Sequence, residues 1–217
     1  IYLNKKYIKG ENNMIVTGRK GIAKPGLLAD AIGFITNTVE SMNQKFGVDF
    51  SVGVEVGGDP NAIYLSGTFE SMNDYQAFRL AYSSDAEMAS SFTEGANFAT
   101  VVEDRLGEIL IPMGERQPFA QVNTIQAIST NQPAAMEFFA QICGLFKEIT
   151  GKDLGLGRYI TGDNSQVAFI GFHESLQDIY DLEAACLADE RWLALYSQSE
   201  GLIVPNSLEV GFRQRII

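Results

Sequence analysis

A chain of 217 residues with 46% hydrophobic content and a formal net charge of −11 is long enough to bury a real core, and its acidity disfavours nucleic acids and other polyanions as partners. The charge is spread evenly, with 6 basic against 13 acidic residues over 14–111 and 6 against 12 over 118–217. No apolar run approaches the roughly 20 residues that a bilayer-spanning helix needs, and two cysteines, Cys143 and Cys186, make no disulfide framework, so a reducing compartment, by default the cytoplasm, is expected without a membrane partner.

The first thirteen residues, with Lys5, Lys6 and Lys9 against Glu11, read as a surface arm or an extra edge strand. Residues 14–24 read as a strand, and Pro25-Gly26 opens a helix on which Leu28, Ile32, Ile35, Val39, Met42 and Phe46 recur at spacings of three and four, ending at Gly47. Phe50, Val52, Val54 and Val56 then alternate with smaller or polar residues, and after the break Gly57-Gly58-Asp59-Pro60 the same alternation runs through Ile63, Leu65, Gly67 and Phe69. This predicts an antiparallel hairpin with those eight residues on one face. Ser71 to Asp74 has the spacing of a capping box and starts a helical region broken at Ser83-Ser84 and resumed from Asp85 to Glu94; residues 98–111 close the unit as a strand.

After the link Pro112–Pro118 the pattern recurs. Shifted by 104 positions, Gly47, Asp49, Gly53, Gly58, Asp59, Gly67, Glu70, Ser71 and Asp74 fall on Gly151, Asp153, Gly157, Gly162, Asp163, Gly171, Glu174, Ser175 and Asp178. A strand is expected over 119–128, a helix from Asn131 and Pro133 to Ile149, a hairpin over 154–160 and 166–174, a capped and broken helix from Ser175, and a last strand over 208–217. The predicted class is α+β: two tandem ferredoxin-like βαββαβ repeats, 14–112 and 119–217, joined by a linker over 113–118.

The stretch His173-Glu174-Ser175, Tyr180 and Ala188-Asp189-Glu190-Arg191-Trp192-Leu193, with a fainter version in Phe69-Glu70-Ser71, Tyr75 and Asp85-Ala86-Glu87-Met88, resembles the second-helix pattern of the dimeric α/β-barrel superfamily, especially NIPSNAP-like and EthD-like members. The resemblance implies a fused pseudo-dimer, in which two sheets that relatives contribute from two chains meet within one. It also implies a small-molecule pocket between sheet and helices within a repeat. Relatives include cofactor-free oxygenases, isomerase-like and decarboxylating enzymes and haem-binding chlorite dismutase-like proteins, so fold alone leaves the activity open.

The candidate site residues come from mismatches between the halves. On the face that carries Val54 and Phe69 in the first hairpin, the second carries Arg158 and His173, the chain's only histidine; burying such groups is costly unless they are paired or face a cavity. A satisfied strand-end histidine and an arginine paired to a carboxylate are the structural alternatives to ligand roles. Tight pairing sets Arg158 beside Val167, leaving His173 six residues further along, about 20 Å at the usual strand rise. Tyr159 and Trp192 are large enough to line a pocket, although Trp192 also opens an amphipathic segment with Leu193, Leu195 and Tyr196. Glu70/Asp74 and Glu174/Asp178 read as helix caps, Gly155 and Gly157 as positions of close backbone approach, and the two cysteines as buried, inert thiols.

One histidine and two unclustered cysteines make no zinc set, and no cofactor is expected, with haem on the single histidine as the alternative. The functional expectation is binding or conversion of a small, largely apolar organic molecule in a pocket within a repeat, preferentially the second half, lined by His173, Arg158, Tyr159 and Trp192. A non-catalytic binding or assembly module is the alternative, with homo-oligomerisation left open.

Overall fold

The structure, a computed structural model, describes residues 14–217; the arm read over residues 1–13 lies outside the described residues. Helix α1 (Leu28–Phe46) and helix α4 (Gln132–Thr150) both end at a left-handed glycine, Gly47 at φ 65° and Gly151 at φ 73°, whose N–H groups donate to the carbonyls of Asn43 and Lys147. Glycine tolerates this conformation without a Cβ penalty. Helix α1 starts later than the sequence predicts. Gly26 stands at φ 79°, and Leu27 N–H donates to the Lys24 carbonyl at 2.9 Å, so Pro25-Gly26 forms a turn and the helix begins at Leu28.

The element order is β1 (Ile15–Ala23), α1, β2 (Phe50–Val56), β3 (Ala62–Phe69), α2 (Met72–Ser84), α3 (Ala86–Gly95), β4 (Ala99–Ile111), β5 (Phe119–Gln126), α4, β6 (Gly155–Tyr159), β7 (Gln166–His173), α5 (Leu176–Ala188), α6 (Glu190–Tyr196) and β8 (Glu209–Arg215). The hairpins pair in the register that alternation predicts: Phe50 opposite Gly67 and Val52 opposite Leu65 in the first, Leu156 opposite Phe169 and Arg158 opposite Val167 in the second. The paired helices α2–α3 and α5–α6 form at single aspartates that end one helix and cap the next. Asp85 accepts from Met88 N–H and Asp189 from Arg191 N–H, so the acidic side chain neutralises free helix donors at both breaks.

Strand β3 pairs antiparallel with both β1 and β2, and β7 with both β5 and β6; with the six α-helices the described strands make a mixed α+β chain. It divides into two compact units, one of residues 108–213 and one of described residues 14–107 with 214–217. The core of the second of these gathers Val39, Val52, Ile63 and Met88 under a chain of aromatic rings, with Phe78 at 5.3 Å from both Phe50 and Phe69 and 5.6 Å from Tyr82. The core of the other gathers Phe138, Phe139, Ile142, Leu156, Val167 and Phe169, with Phe139 and Phe169 edge to face at 5.5 Å. Gly155 packs where expected: a Cβ there would stand 3.0 Å from Met113 Cα.

Candidate functional site

In the unit of residues 14–107 a pocket opens between sheet and helices. Period-two alternation along β1 turns Thr17 and Arg19 to the same face as buried Ile15 and Ala23, and they line the pocket beside Phe50 and Leu65 of the hairpin. Phe50 can lie across its partner strand because Gly67 is opposite it, where a Cβ would stand 2.7 Å from the ring. Helix α2 covers this surface with Tyr75, Phe78, Arg79 and Tyr82, the i, i+3, i+4, i+7 positions of one helix face. The cavity itself is about 40 Å3 and opens to solvent at its mouth.

The polar groups here are mostly donors. Arg19 Nη2 donates to Asp104 Oδ2 at 2.5 Å, while Arg19 Nε is buried without a hydrogen-bond partner and the guanidinium lies 5.4 Å from the Phe92 ring centre. Arg79 is exposed and makes no ion pair among the described residues.

The residues singled out by sequence do not converge. His173 ends β7 and is 2% exposed. Its Nδ1 lies 3.6 Å from Asp178 Oδ2, too long for a made hydrogen bond, and neither ring nitrogen nor that carboxylate oxygen has a partner. On its other side a Cβ on Gly171 would stand 2.8 Å from Nε2. Burial pushes the imidazole below its ordinary 6.5, opposed by the nearby Asp178 carboxylate. Asp178 itself belongs to the predicted cap, its N–H donating to Ser175 Oγ at 3.1 Å.

Arg158 is exposed, its side chain bound to Glu108 at 2.7 Å through Nε and through Nη2. It takes the paired alternative because the hairpin end at Arg158 and Ile160 is exposed. Tyr159 is half-buried, and Trp192 packs between Phe146 at 6.4 Å and Tyr196 at 5.6 Å.

The sequence reading missed the α2 face. Its signal was present 104 positions on, where Tyr75, Phe78, Arg79 and Tyr82 become Ile179, Leu182, Glu183 and Cys186: the first half keeps three rings and an arginine where the second has smaller groups and an acid. Gln121, the counterpart of Thr17, spans that position in the other unit by donating to Glu183 Oε1 at 2.9 Å.

A haem iron does not fit the one histidine as it stands, since Nε2 abuts Gly171 and Nδ1 faces Asp178. Among the described residues no group of three or more His, Cys, Asp or Glu side chains is placed to hold a metal ion, and no helix is long and apolar enough to cross a membrane. Both thiols are buried, and desolvation pushes Cys143 up to about 12 and Cys186 to about 11.

The sequence matches no protein-family model and no curated protein. Solved structures do match. An anthrone oxidase-like protein aligns with TM-score 0.67 at 11% identity over 96% of this chain and 93% of its own. A Lactobacillus acidophilus protein provisionally named a monooxygenase aligns with TM-score 0.65 at 9% identity over 94% of each chain. A chlorite dismutase variant from Candidatus Nitrospira defluvii aligns with TM-score 0.53 at 13% identity, over 97% of this chain and 94% of its own. At such identities the likeness shows the fold alone.

Proposed function

We propose that the chain binds a small organic molecule between the sheet and helix α2 of residues 14–107, and that its activity is a cofactor-free, oxygenase-like or isomerase-like conversion of that molecule. The pocket walled by Phe50, Phe78, Tyr75 and Tyr82 carries this reading. Neighbours named as a monooxygenase and an anthrone oxidase-like protein support the oxygenase arm. Thermal-shift screening with aromatic ligands, fatty ligands and haem tests it. A true ligand raises Tm of the wild type and leaves a Thr17→Phe variant, whose new ring fills the pocket, unmoved; oxygen uptake with that ligand tests the chemistry. Equal shifts in both proteins would move the site elsewhere.

A second site reading rests on His173. A 98% buried imidazole beside an unpartnered carboxylate oxygen is a base-and-orienter pair that lacks a third member. A His173→Ala variant that melts like wild type with every ligand found would remove it from the site.

The architecture we propose is a tandem pair of ferredoxin-like repeats, 14–112 and 119–217 around a linker over 113–118, of the NIPSNAP-like or EthD-like kind. The support is the same element order found twice. The alternative, a non-catalytic assembly module, draws on exposed Leu176, Tyr180 and Leu187 along α5. Sedimentation that shows only monomers, together with a confirmed ligand, would exclude it.

A further inference from the structure

The pocket holds more positive charge and more free donors than its protein neighbours use. Two guanidinium groups line it against one carboxylate, in a chain whose net charge is −11. Asp104 engages one end of Arg19; the Arg19 Nε–H is left buried and unpartnered. A buried donor without an acceptor is costly to keep. Arg79 has no acidic partner among the described residues, and neither the Tyr75 nor the Tyr82 hydroxyl has a hydrogen-bond partner among them. Apart from Thr17, whose hydroxyl donates to the Arg105 carbonyl, the rest of the lining is apolar. A neutral hydrocarbon would satisfy the rings and leave every one of these donors unmet. An ionised carboxylate accepts bidentately from a guanidinium, in charge-assisted bonds about twice as strong as neutral ones.

From this we infer that the ligand is a planar aromatic carboxylate, its ring against Phe50 and Phe78 and its carboxylate held by Arg79 with help from Arg19 Nε–H. The inference rests on the pocket reading above. It assigns Arg79 as the residue that sets charge preference, and Asp104 as a brake that holds part of the Arg19 guanidinium away from the ligand.

Calorimetric titration of 2-naphthoate and its neutral counterpart 2-naphthamide tests it on the full chain. Wild type is expected to bind the carboxylate at least about tenfold more tightly than the amide. Arg79→Gln, a change on an exposed helix position, is expected to remove about tenfold from naphthoate binding and to cost naphthamide, whose carbonyl accepts no charge-paired bond, much less. Asp104→Ala, which removes the acceptor that holds Arg19 Nη2, is expected to tighten naphthoate binding severalfold. Equal affinities for the two probes, both abolished in Thr17→Phe, would overturn the charge inference and leave the pocket standing. An Arg79→Gln loss shared equally by both probes would do the same. Binding of neither probe, or naphthoate binding that Thr17→Phe does not touch, would overturn both readings.

Discussion

His173 stands where the first half carries Phe69, a ring that packs at 5.3 Å on Phe78. The imidazole is as buried as a core phenylalanine but leaves both nitrogens unpartnered, a state that costs about 1–3 kcal/mol per unsatisfied group. Its folded pKa is depressed below 6.5, so the unfolded chain binds the proton more readily. The sign follows: the full stability is present above about pH 6.5, and stability falls as pH drops from there toward the folded pKa. His173→Phe is therefore expected to stabilise the protein more at pH 5 than at pH 8, as read from urea midpoints at both pH values. An equal gain at both would show that the folded and unfolded chains bind the proton alike, against the depression. At Gly171 a Cβ would meet Nε2 at 2.8 Å, so Gly171→Ala must displace the imidazole, and the same denaturation measurement should show a loss that His173→Ala relieves.

At the level of elements, the helix pairs depend on one aspartate each. Asp85 closes α2, accepts from Met88 N–H at 3.1 Å to start α3, and receives Lys45 Nζ at 2.6 Å; that lysine and the cap hydrogen bond hold its carboxyl below the usual range. Asp189 does the same work between α5 and α6 with Arg191 beside it. Loss of a helix N-cap costs about 1 kcal/mol. Asp85→Ala should thus lower stability by about that amount, whereas Asp85→Asn, which keeps the acceptor, should lose much less. Indistinguishable losses in the two variants would assign the effect to the Lys45 pair instead of the cap.

For the molecule as a whole, the same element order occurs twice, and in each unit the strand before the helix pair, β3 or β7, is hydrogen-bonded on both sides. The two thiols sit in helices of the 108–213 unit and are held mostly protonated by burial. Since the thiolate is the reactive form, maleimide labelling at neutral pH should be slow and should track unfolding of that unit across a denaturant series. Fast labelling under native conditions would contradict the burial of Cys143 and Cys186.

The sequence by itself determined the elements, because their causes are local: glycines at helix ends, aspartate caps, period-two hairpins, and the recurrence of all three at an offset of 104. It therefore carried the register that sets Arg158 opposite Val167. Only the tertiary structure decided which polar residues are covered. Arg158 lies on the predicted face yet is exposed beside Glu108, whereas His173 on that face is enclosed. It also decided where a ligand can enter. A pocket exists where three rings and an arginine of α2 stand over Thr17 and Arg19; that depends on how a helix face meets a sheet 50 or more residues away, a distance over which one-dimensional periodicity carries no information.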